Sequence, residues 1–115
     1  MRPKNYKGSK CIKRRLSKCD EVVKTYDPIQ TSYADTIEQD EQISSFKCNV
    51  PIETDEDKDY TTDFLCTKSD GEYFVRECVY KRKLAFPRTC KLLDKSREYW
   101  AKRGITDWGI IVEKE

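Results

Sequence analysis

The chain has 115 residues, a mass of 13.6 kDa and a nearly balanced charge of +2; charged residues make up 38% of it and hydrophobic residues 37%. This length suits one small domain, and the low apolar content predicts a thin core that needs cross-links or a partner surface to offset chain entropy. Histidine is absent, which excludes Ser-His and Cys-His catalytic pairs and histidine-containing zinc sites. The longest apolar runs are triplets, far short of the roughly 20 residues that a membrane span requires.

The charges fall into blocks along the sequence. Residues 1–19 carry only basic charged side chains, residues 20–63 are strongly acidic, and residues 64–104 are basic again. This alternation favours charge complementarity within the fold or with a protein partner, whereas nucleic acid binding requires one continuous basic face. The sequence therefore predicts protein partners and no nucleic acid partner.

In chain order, the first predicted helix extends from about Ser9 to Tyr26. Its apolar side chains recur at alternating spacings of four and three residues, which places them on one helical face. They are Ile12, Leu16, Cys19, Val23 and Tyr26. Asp27-Pro28 is predicted to end this helix, because the residue before a proline is pushed out of the helical region.

Two more helices are predicted nearer the carboxyl end. One begins after Ser69, where Ser69 and Glu72 have the spacing of a capping box, and continues to about Lys83. The other begins at Pro87, a favoured first helical position, and ends at Gly104. Only three residues separate these helices, so they are predicted to form an antiparallel helical hairpin.

The remaining segments lack sustained periodicity. Residues 28–68 hold most of the acidic side chains and are predicted to be a long irregular connection, with a short strand near Ser45 to Val50. Residues 105–115 are predicted to be a docking tail, with packing back onto the helices as the alternative. The expected fold is therefore mainly α: one small disulfide-stapled helical hairpin with an additional amino-terminal helix, spanning residues 1–115.

The cysteines form an even set without a Cys-x-x-Cys motif, which argues against a zinc ribbon and a thioredoxin-type redox motif. The sequence instead predicts structural disulfides, with free buried thiols as the alternative. The cysteines concerned are Cys11, Cys19, Cys48, Cys66, Cys78 and Cys90.

The predicted helices constrain how these cysteines pair. On one helix the α-carbons of Cys11 and Cys19 lie roughly 12 Å apart, beyond the range of about 4.4 to 6.8 Å for a disulfide, so both need partners elsewhere. Cys78 and Cys90 flank the hairpin turn and are the natural candidates. Cys48 and Cys66 would then close the acidic connection, although other connectivities remain open.

The compartment follows from these cysteines together with the amino-terminal sequence. Met1 to Lys18 is basic and contains no apolar stretch of the length of a secretory signal. Disulfide-linked helices without such a signal are typical of the mitochondrial intermembrane space. In this respect the chain resembles the coiled-coil-helix-coiled-coil-helix (CHCH) group, although its cysteine spacings differ from the common nine-residue ones.

A more specific resemblance covers about residues 72–109. It is carried by Cys78-Val-Tyr-Lys-Arg-Lys-Leu-Ala-Phe-Pro-Arg-Thr-Cys90, followed by Lys91-Leu92-Leu93, Tyr99 and Arg103-Gly104-Ile105-Thr106-Asp107-Trp108-Gly109. These residues resemble the carboxyl-terminal half of the PDSW subunit family of mitochondrial respiratory complex I. In that family a helix ends near one cysteine, eleven residues intervene, and a second cysteine opens a charged helix. The chain departs from the family in its longer connecting segment and the additional cysteines at 48 and 66.

The resemblance implies a non-catalytic accessory subunit of NADH:ubiquinone oxidoreductase, a component of the respiratory electron transport chain. Such a subunit lies peripherally on the intermembrane-space side of the mitochondrial inner membrane and stabilises the membrane arm. Its partners are other protein subunits of that complex, with no small-molecule substrate. The interface anchors expected for this function are Tyr99, Trp100, Trp108, Ile110 and Ile111.

Two other function classes remain open. The chain is either an accessory subunit or a secreted disulfide-rich binding or effector protein, and a signal peptide encoded upstream of Met1 would indicate the second. An enzyme or thiol redox carrier is the third class. We find no catalytic pair, cofactor fingerprint or metal-ligand pattern in the sequence, so we predict no catalytic, cofactor-binding or metal-binding residues.

Overall fold

The computed structural model describes residues 1–3, 11–53 and 60–114. A five-stranded mixed sheet forms its centre, so the predicted mainly α fold with a stapled helical hairpin is wrong. In chain order the elements are β1 (Arg2–Pro3), β2 (Ile12–Arg14), β3 (Val23–Thr25), α1 (Pro28–Glu38), β4 (Ile43–Ile52), β5 (Tyr60–Lys68), β6 (Tyr73–Cys78), a 3-10 helix (Lys81–Ala85), α2 (Pro87–Ala101) and β7 (Trp108–Ile111).

The predicted first helix, Ser9 to Tyr26, is wrong over residues 11–26; residues 9 and 10 lie outside the described residues. β2 and β3 form a two-stranded antiparallel ribbon, in which Ile12 is opposite Thr25. Burial along β3 alternates, with Val23 and Thr25 buried and the lysine between them exposed. The apolar residues in this segment have the four-and-three spacing of a helix, but residues 23–25 also have the two-residue period of a strand. The burial of Val23 and Thr25 on one face favours the strand.

Helix α1 begins where the sequence predicted a helix to end. Asp27 is extended and is its N-cap: Asp27 Oδ1 accepts a 2.8 Å hydrogen bond from the backbone N–H of Gln30. Pro28 occupies the first turn, where its fixed φ suits a helix and its missing N–H costs nothing. The prediction that Asp27 is not helical is confirmed, but Asp27 precedes the start of a helix instead of following the end of one.

The predicted irregular connection over residues 28–68 is also wrong, because α1, β4 and β5 occupy it; residues 54–59 lie outside the described residues. The short strand predicted near Ser45 to Val50 is confirmed and extends over the whole of β4. β4 and β5 pair antiparallel, with Phe46 opposite Cys66 and Cys48 opposite Phe64.

The second predicted helix, from Ser69 to Lys83, is wrong for a local reason. Asp70-Gly71 forms the turn between β5 and β6, and Gly71 takes a φ of +91°, which is unfavourable for other residues. β6 then pairs antiparallel with β5, and the 3-10 helix follows it. An Asp-Gly pair between apolar runs is a strong hairpin signal, and it outweighs the capping-box spacing.

The third predicted helix is confirmed as α2, which begins at Pro87. It connects β6 to β7, and these two strands are parallel, with Val75 opposite Trp108. Part of the predicted docking tail therefore pairs with the chain's own sheet as β7, whereas the alternative expectation was packing back onto the helices; residue 115 lies outside the described residues. No helix in the described part of the chain has the length and apolar character of a membrane span.

Two apolar cores lie on opposite faces of the sheet, because neighbouring residues of β5 enter different cores: Phe64 the first and Leu65 the second. The first core packs under α1, and the second packs under Trp100 of α2. The buried residues of the first core are Ile29, Ala34, Ile37, Ile43, Phe46, Phe64, Cys66, Phe74 and Cys78.

Candidate functional site

Two buried carboxylates stand opposite each other at the centre of the sheet. Phe64 pairs with Arg76, so the next residues along the antiparallel strands, Asp63 and Glu77, also face each other across β5 and β6. Both residues are fully buried, with 0% of their surface exposed. Two unpaired carboxylates in such a position would be strongly destabilising, so the structure must supply positive charge and hydrogen-bond donors.

The Met1 ammonium supplies that charge. β1 pairs with β5 so that Arg2 is opposite Thr61, which brings the Met1 nitrogen 3.0 Å from Asp63 Oδ2 and 3.4 Å from Glu77 Oε1. Burial of the amine lowers its pKa, but the two carboxylates outweigh this effect and raise the pKa to about 10. The amine is therefore charged at neutral pH.

Further hydrogen bonds and one more ion pair hold the two carboxylates. Asp63 Oδ2 accepts a 2.8 Å hydrogen bond from the backbone N–H of Cys78, and the Arg2 Nε lies 3.3 Å from Asp63 Oδ1. Glu77 Oε1 accepts from the backbone N–H of Asp63 at 2.9 Å, and Glu77 Oε2 accepts from the Ser96 hydroxyl at 2.5 Å. Burial raises the pKa of Glu77, and the Met1 ammonium partly opposes that rise.

We call this group (the Met1 amine, Arg2, Asp63, Glu77 and Ser96) the buried charged cluster. Trp108 Nε1 extends it by donating to Ser96 Oγ at 3.0 Å, which connects α2 to β7. The cluster joins the amino terminus, three strands and one helix through atoms that already have partners. Because Asp63 and Glu77 are fully buried, the arrangement is suited to holding the fold together rather than to touching a substrate.

An open groove of about 910 Å³ lies beside this cluster. Met1, Arg2 and Cys78 contribute to its lining, and the other walls come from β2, the start of α1, the 3-10 helix and α2. The apolar and aromatic part of the lining is Ile12, Tyr26, Val79, Tyr80, Leu92 and Leu93. Ile12 is 45% exposed, so an apolar edge of the groove faces solvent.

The charges that line the groove are not balanced. Asp27 pairs with Arg2, and Asp35 pairs with Arg14, so both groove carboxylates are neutralised. Arg82 and Lys83 on the 3-10 helix are exposed and line the same groove. Neither forms an ion pair with an acidic side chain among the described residues. The groove therefore combines an apolar surface with a net positive charge.

Among residues 1–3, 11–53 and 60–114, no group of three or more cysteine or acidic side chains has an arrangement that could hold a metal ion. The cysteines of the first core form no such group either.

The six cysteines that the sequence singled out do not form one group, and all six are thiols in this structure. Cys11 and Cys90 are exposed, Cys66 and Cys78 are buried, and Cys19 and Cys48 are half-buried. The helix on which the Cys11 and Cys19 geometry was calculated is absent. The disulfide framework stays a prediction, and the positions of the cysteines on the sheet now constrain how they could pair.

The predicted interface anchors are spread over both faces of the fold. Trp100 is 6% exposed and belongs to the second core, where its Nε1 donates to Thr62 Oγ1 at 2.8 Å. Tyr99 and Trp108 are half-buried beside it, and Ile111 packs against the first core. Of the five residues, Ile110 is the most exposed, at 39%.

Sequence reasoning missed the buried charged cluster and the groove. Asp63 and Glu77 looked like ordinary surface acids, because only the strand pairing shows that they are buried. One signal was available: Asp63 interrupts Tyr60-Thr-Thr-Asp-Phe-Leu-Cys-Thr67, a run rich in β-branched and aromatic residues that favours a buried strand. A charge in such a run points to a paired carboxylate.

Comparison of the chain with models of known protein families and with curated proteins gives no match.

Proposed function

We propose that this chain is a protein-binding module, whose groove holds a segment of a partner protein in which acidic residues alternate with apolar ones. The observation that carries the proposal is the composition of the groove: the exposed residues Arg82 and Lys83 line the same groove as the apolar residues Ile12, Val79 and Leu92.

Charge complementarity supports an acidic occupant. The two carboxylates in the lining are already paired with Arg14 and Arg2, so an incoming acidic side chain meets Arg82 and Lys83 without competition from Asp27 or Asp35. Rim charges of this kind mainly raise the rate and specificity of association. The Arg82 guanidinium lies 5.3 Å from the centroid of the Tyr80 ring, which limits its freedom before binding.

The apolar surface supports affinity. Ile12 and Tyr80 present apolar surface that a partner's apolar side chains can cover. The groove volume of about 910 Å³ accommodates several side chains. The fold supplies a rigid floor, because the buried charged cluster fixes Met1, Arg2 and Cys78 from below.

The accessory-subunit function is a more specific form of this proposal, in which the partner is a neighbouring subunit of respiratory complex I. The structure that the resemblance implied is wrong, because Cys78 ends strand β6 rather than a helix. The complex I function stays a prediction. Blue-native fractionation of mitochondrial membranes with mass spectrometry tests it, and a protein that never migrates with a respiratory assembly would contradict it. The secreted-effector alternative differs in compartment, not in the kind of surface that it needs.

Peptide display tests the groove directly. We expect selection on the full chain to enrich peptides that combine several Asp or Glu residues with Leu, Ile or Phe. Binding of a selected peptide, followed by fluorescence anisotropy, should weaken about tenfold or more in the double variant Arg82→Ala/Lys83→Ala and should weaken with added salt.

A matched control removes two positive charges elsewhere. Arg97→Ala/Lys102→Ala changes exposed residues at the far end of α2 and should leave peptide affinity within about twofold, since these charges lie outside the groove. The proposal fails if selected peptides lack acidic residues, or if both double variants weaken binding equally.

A further inference from the structure

The segment 18–24 runs along the outer edge of β4. The backbone N–H of Phe46 donates to the Lys18 carbonyl at 3.1 Å, and Asn49 Nδ2 donates to the Lys24 carbonyl at 2.6 Å. In an antiparallel pair, the N–H of a given residue points either toward its partner strand or away from it. Because the N–H of Phe46 donates to the carbonyl of Lys18, this segment lies on the side of β4 that faces away from β5.

Cys19 and Cys48 both lie at this seam. Both line the same small cavity of about 310 Å³ between the segment and β4, and both pack against the first core. Both are half-buried, so a soluble oxidant can reach the seam while the core still shields the sulfurs. The turn before Cys19 is fixed by its own N–H, which donates to the Leu16 carbonyl at 3.1 Å.

Cys66 also belongs to the first core, but the strand register places it less favourably. It lies opposite Phe46, so Cys48 and Cys66 are diagonal neighbours across β4 and β5. Diagonal neighbours are about 7–8 Å apart, beyond the α-carbon range of about 4.4 to 6.8 Å for a disulfide. From Cys19, Cys66 is two strand spacings away, roughly 9–10 Å.

We propose that Cys19 and Cys48 form a disulfide that fastens the 18–24 segment to the outer edge of β4. This pairing replaces the Cys48 to Cys66 bridge that the sequence suggested. It is independent of the proposed binding function, because the seam and the groove have no lining residue in common.

Oxidation by thiol–disulfide exchange with glutathione disulfide accounts for the bond. The Cys19 thiolate attacks one sulfur of glutathione disulfide, forming a mixed disulfide and releasing one glutathione thiolate. The Cys48 thiolate then attacks the Cys19 sulfur, forms the protein disulfide and releases the second glutathione. Two protein thiols are oxidised, one glutathione disulfide is reduced to two glutathiones, and the two thiol protons end on the released glutathiones.

Cys19 is the better first nucleophile of the two. Burial, with a smaller contribution from the Glu38 and Asp20 carboxylates, raises the pKa of Cys19 to about 11. Burial raises the pKa of Cys48 still further. Exchange should therefore be slow at neutral pH and should accelerate with rising pH up to about 11, as the Cys19 thiolate fraction grows.

Peptide mapping distinguishes the possible pairings. Trypsin cuts after Lys18, Lys24, Lys47, Lys58 and Lys68, so each of the three cysteines falls in its own peptide, spanning 19–24, 48–58 or 59–68. After incubation of the full chain in glutathione buffer and alkylation without reduction, we expect the 19–24 and 48–58 peptides joined and lighter by two hydrogens. A link from either peptide to 59–68, or full alkylation of Cys19 and Cys48, would overturn the pairing.

Variants provide the second arm. Cys19→Ser should release Cys48 as an alkylated thiol, whereas Cys66→Ala should leave the cross-linked peptide unchanged. If Cys19→Ser fails to fold, the map of the unaltered chain still decides between the pairings. Loss of the link in Cys66→Ala, with that variant folded, would also contradict the proposal.

Discussion

Replacing Asp63 by Asn tests whether the buried charged cluster holds the fold together. The substitution keeps the size of the side chain and one acceptor oxygen, but it removes the negative charge. The Met1 ammonium 3.0 Å away and the Arg2 Nε 3.3 Å away then face a neutral group in the sheet interior. The new amide nitrogen is itself a donor, and it must point either at these cations or at the N–H of Cys78.

The expected cost follows from these contacts. A hydrogen bond to a charged group contributes about 1.5–3 kcal/mol, and removing one partner of a buried ion pair costs about 3–5 kcal/mol. Glu77 remains 3.4 Å from the ammonium, so the loss is incomplete and we expect about 3–5 kcal/mol in total. A domain of this size has a free energy of unfolding of about 5–15 kcal/mol, so Asp63→Asn should remove a large part of it.

Urea unfolding at pH 7, followed by tryptophan fluorescence, measures this cost. Trp100 and Trp108 both lie near the cluster, and they report on its loss. The control is Asp107→Asn: Asp107 is 44% exposed and pairs with Arg76 at 2.8 Å, so its loss should cost less than about 1 kcal/mol. Equal costs for the two variants, or a cost below about 1 kcal/mol for Asp63→Asn, would refute the reasoning.

Two further predictions concern pH and the start of α1. Because burial raises the pKa of Glu77, the folded state binds a proton on this carboxyl group more tightly than the unfolded state does. The contribution of Glu77 to the free energy of unfolding should therefore be greatest below the unfolded pKa near 4.5 and should decline as pH rises. Glu77→Gln should remove this decline, so its free energy of unfolding relative to the unaltered chain should improve between about pH 4 and 7; a constant difference would contradict the shift. Asp27→Ala should cost about 1–2 kcal/mol in thermal or urea unfolding, because the N-cap bond to Gln30 and the pair with Arg2 are both lost. Asp27→Asn keeps the cap and should cost less, and a variant pair of equal stability would show that the cap contributes nothing.

Local signals in the sequence were reliable where they act on a few adjacent residues. Pro87 starts α2, and the sequence predicted a short strand near Ser45 to Val50; both elements are observed. Asp27-Pro28 was recognised as a helix boundary, but a proline is compatible with the first turn as well as with the end of a helix. Choosing between them requires knowing that Ile29, two residues after Asp27, is buried against the sheet.

The second predicted helix failed on the local Asp70-Gly71 turn, whereas the first predicted helix and the buried charged cluster depend on contacts between residues further apart. The apolar residues of 12–26 are spaced as on a helical face, but β2 and β3 pair with each other, and that pairing selects the strands. The cluster needs Met1 and Asp63, which are 62 residues apart in sequence. No pattern within a short window encodes that contact, so neither the cluster nor the groove above it could be predicted.

The parallel pairing of β6 and β7 has a consequence for the order of folding. The β4, β5 and β6 strands are joined by near neighbours in sequence and can form early, at a small cost in loop-closure entropy. β7 must wait until α2 has crossed the sheet, since Val75 and its partner Trp108 are separated by the whole helix. A nascent chain that lacks its last residues therefore exposes the side of β6 that β7 covers in the complete fold.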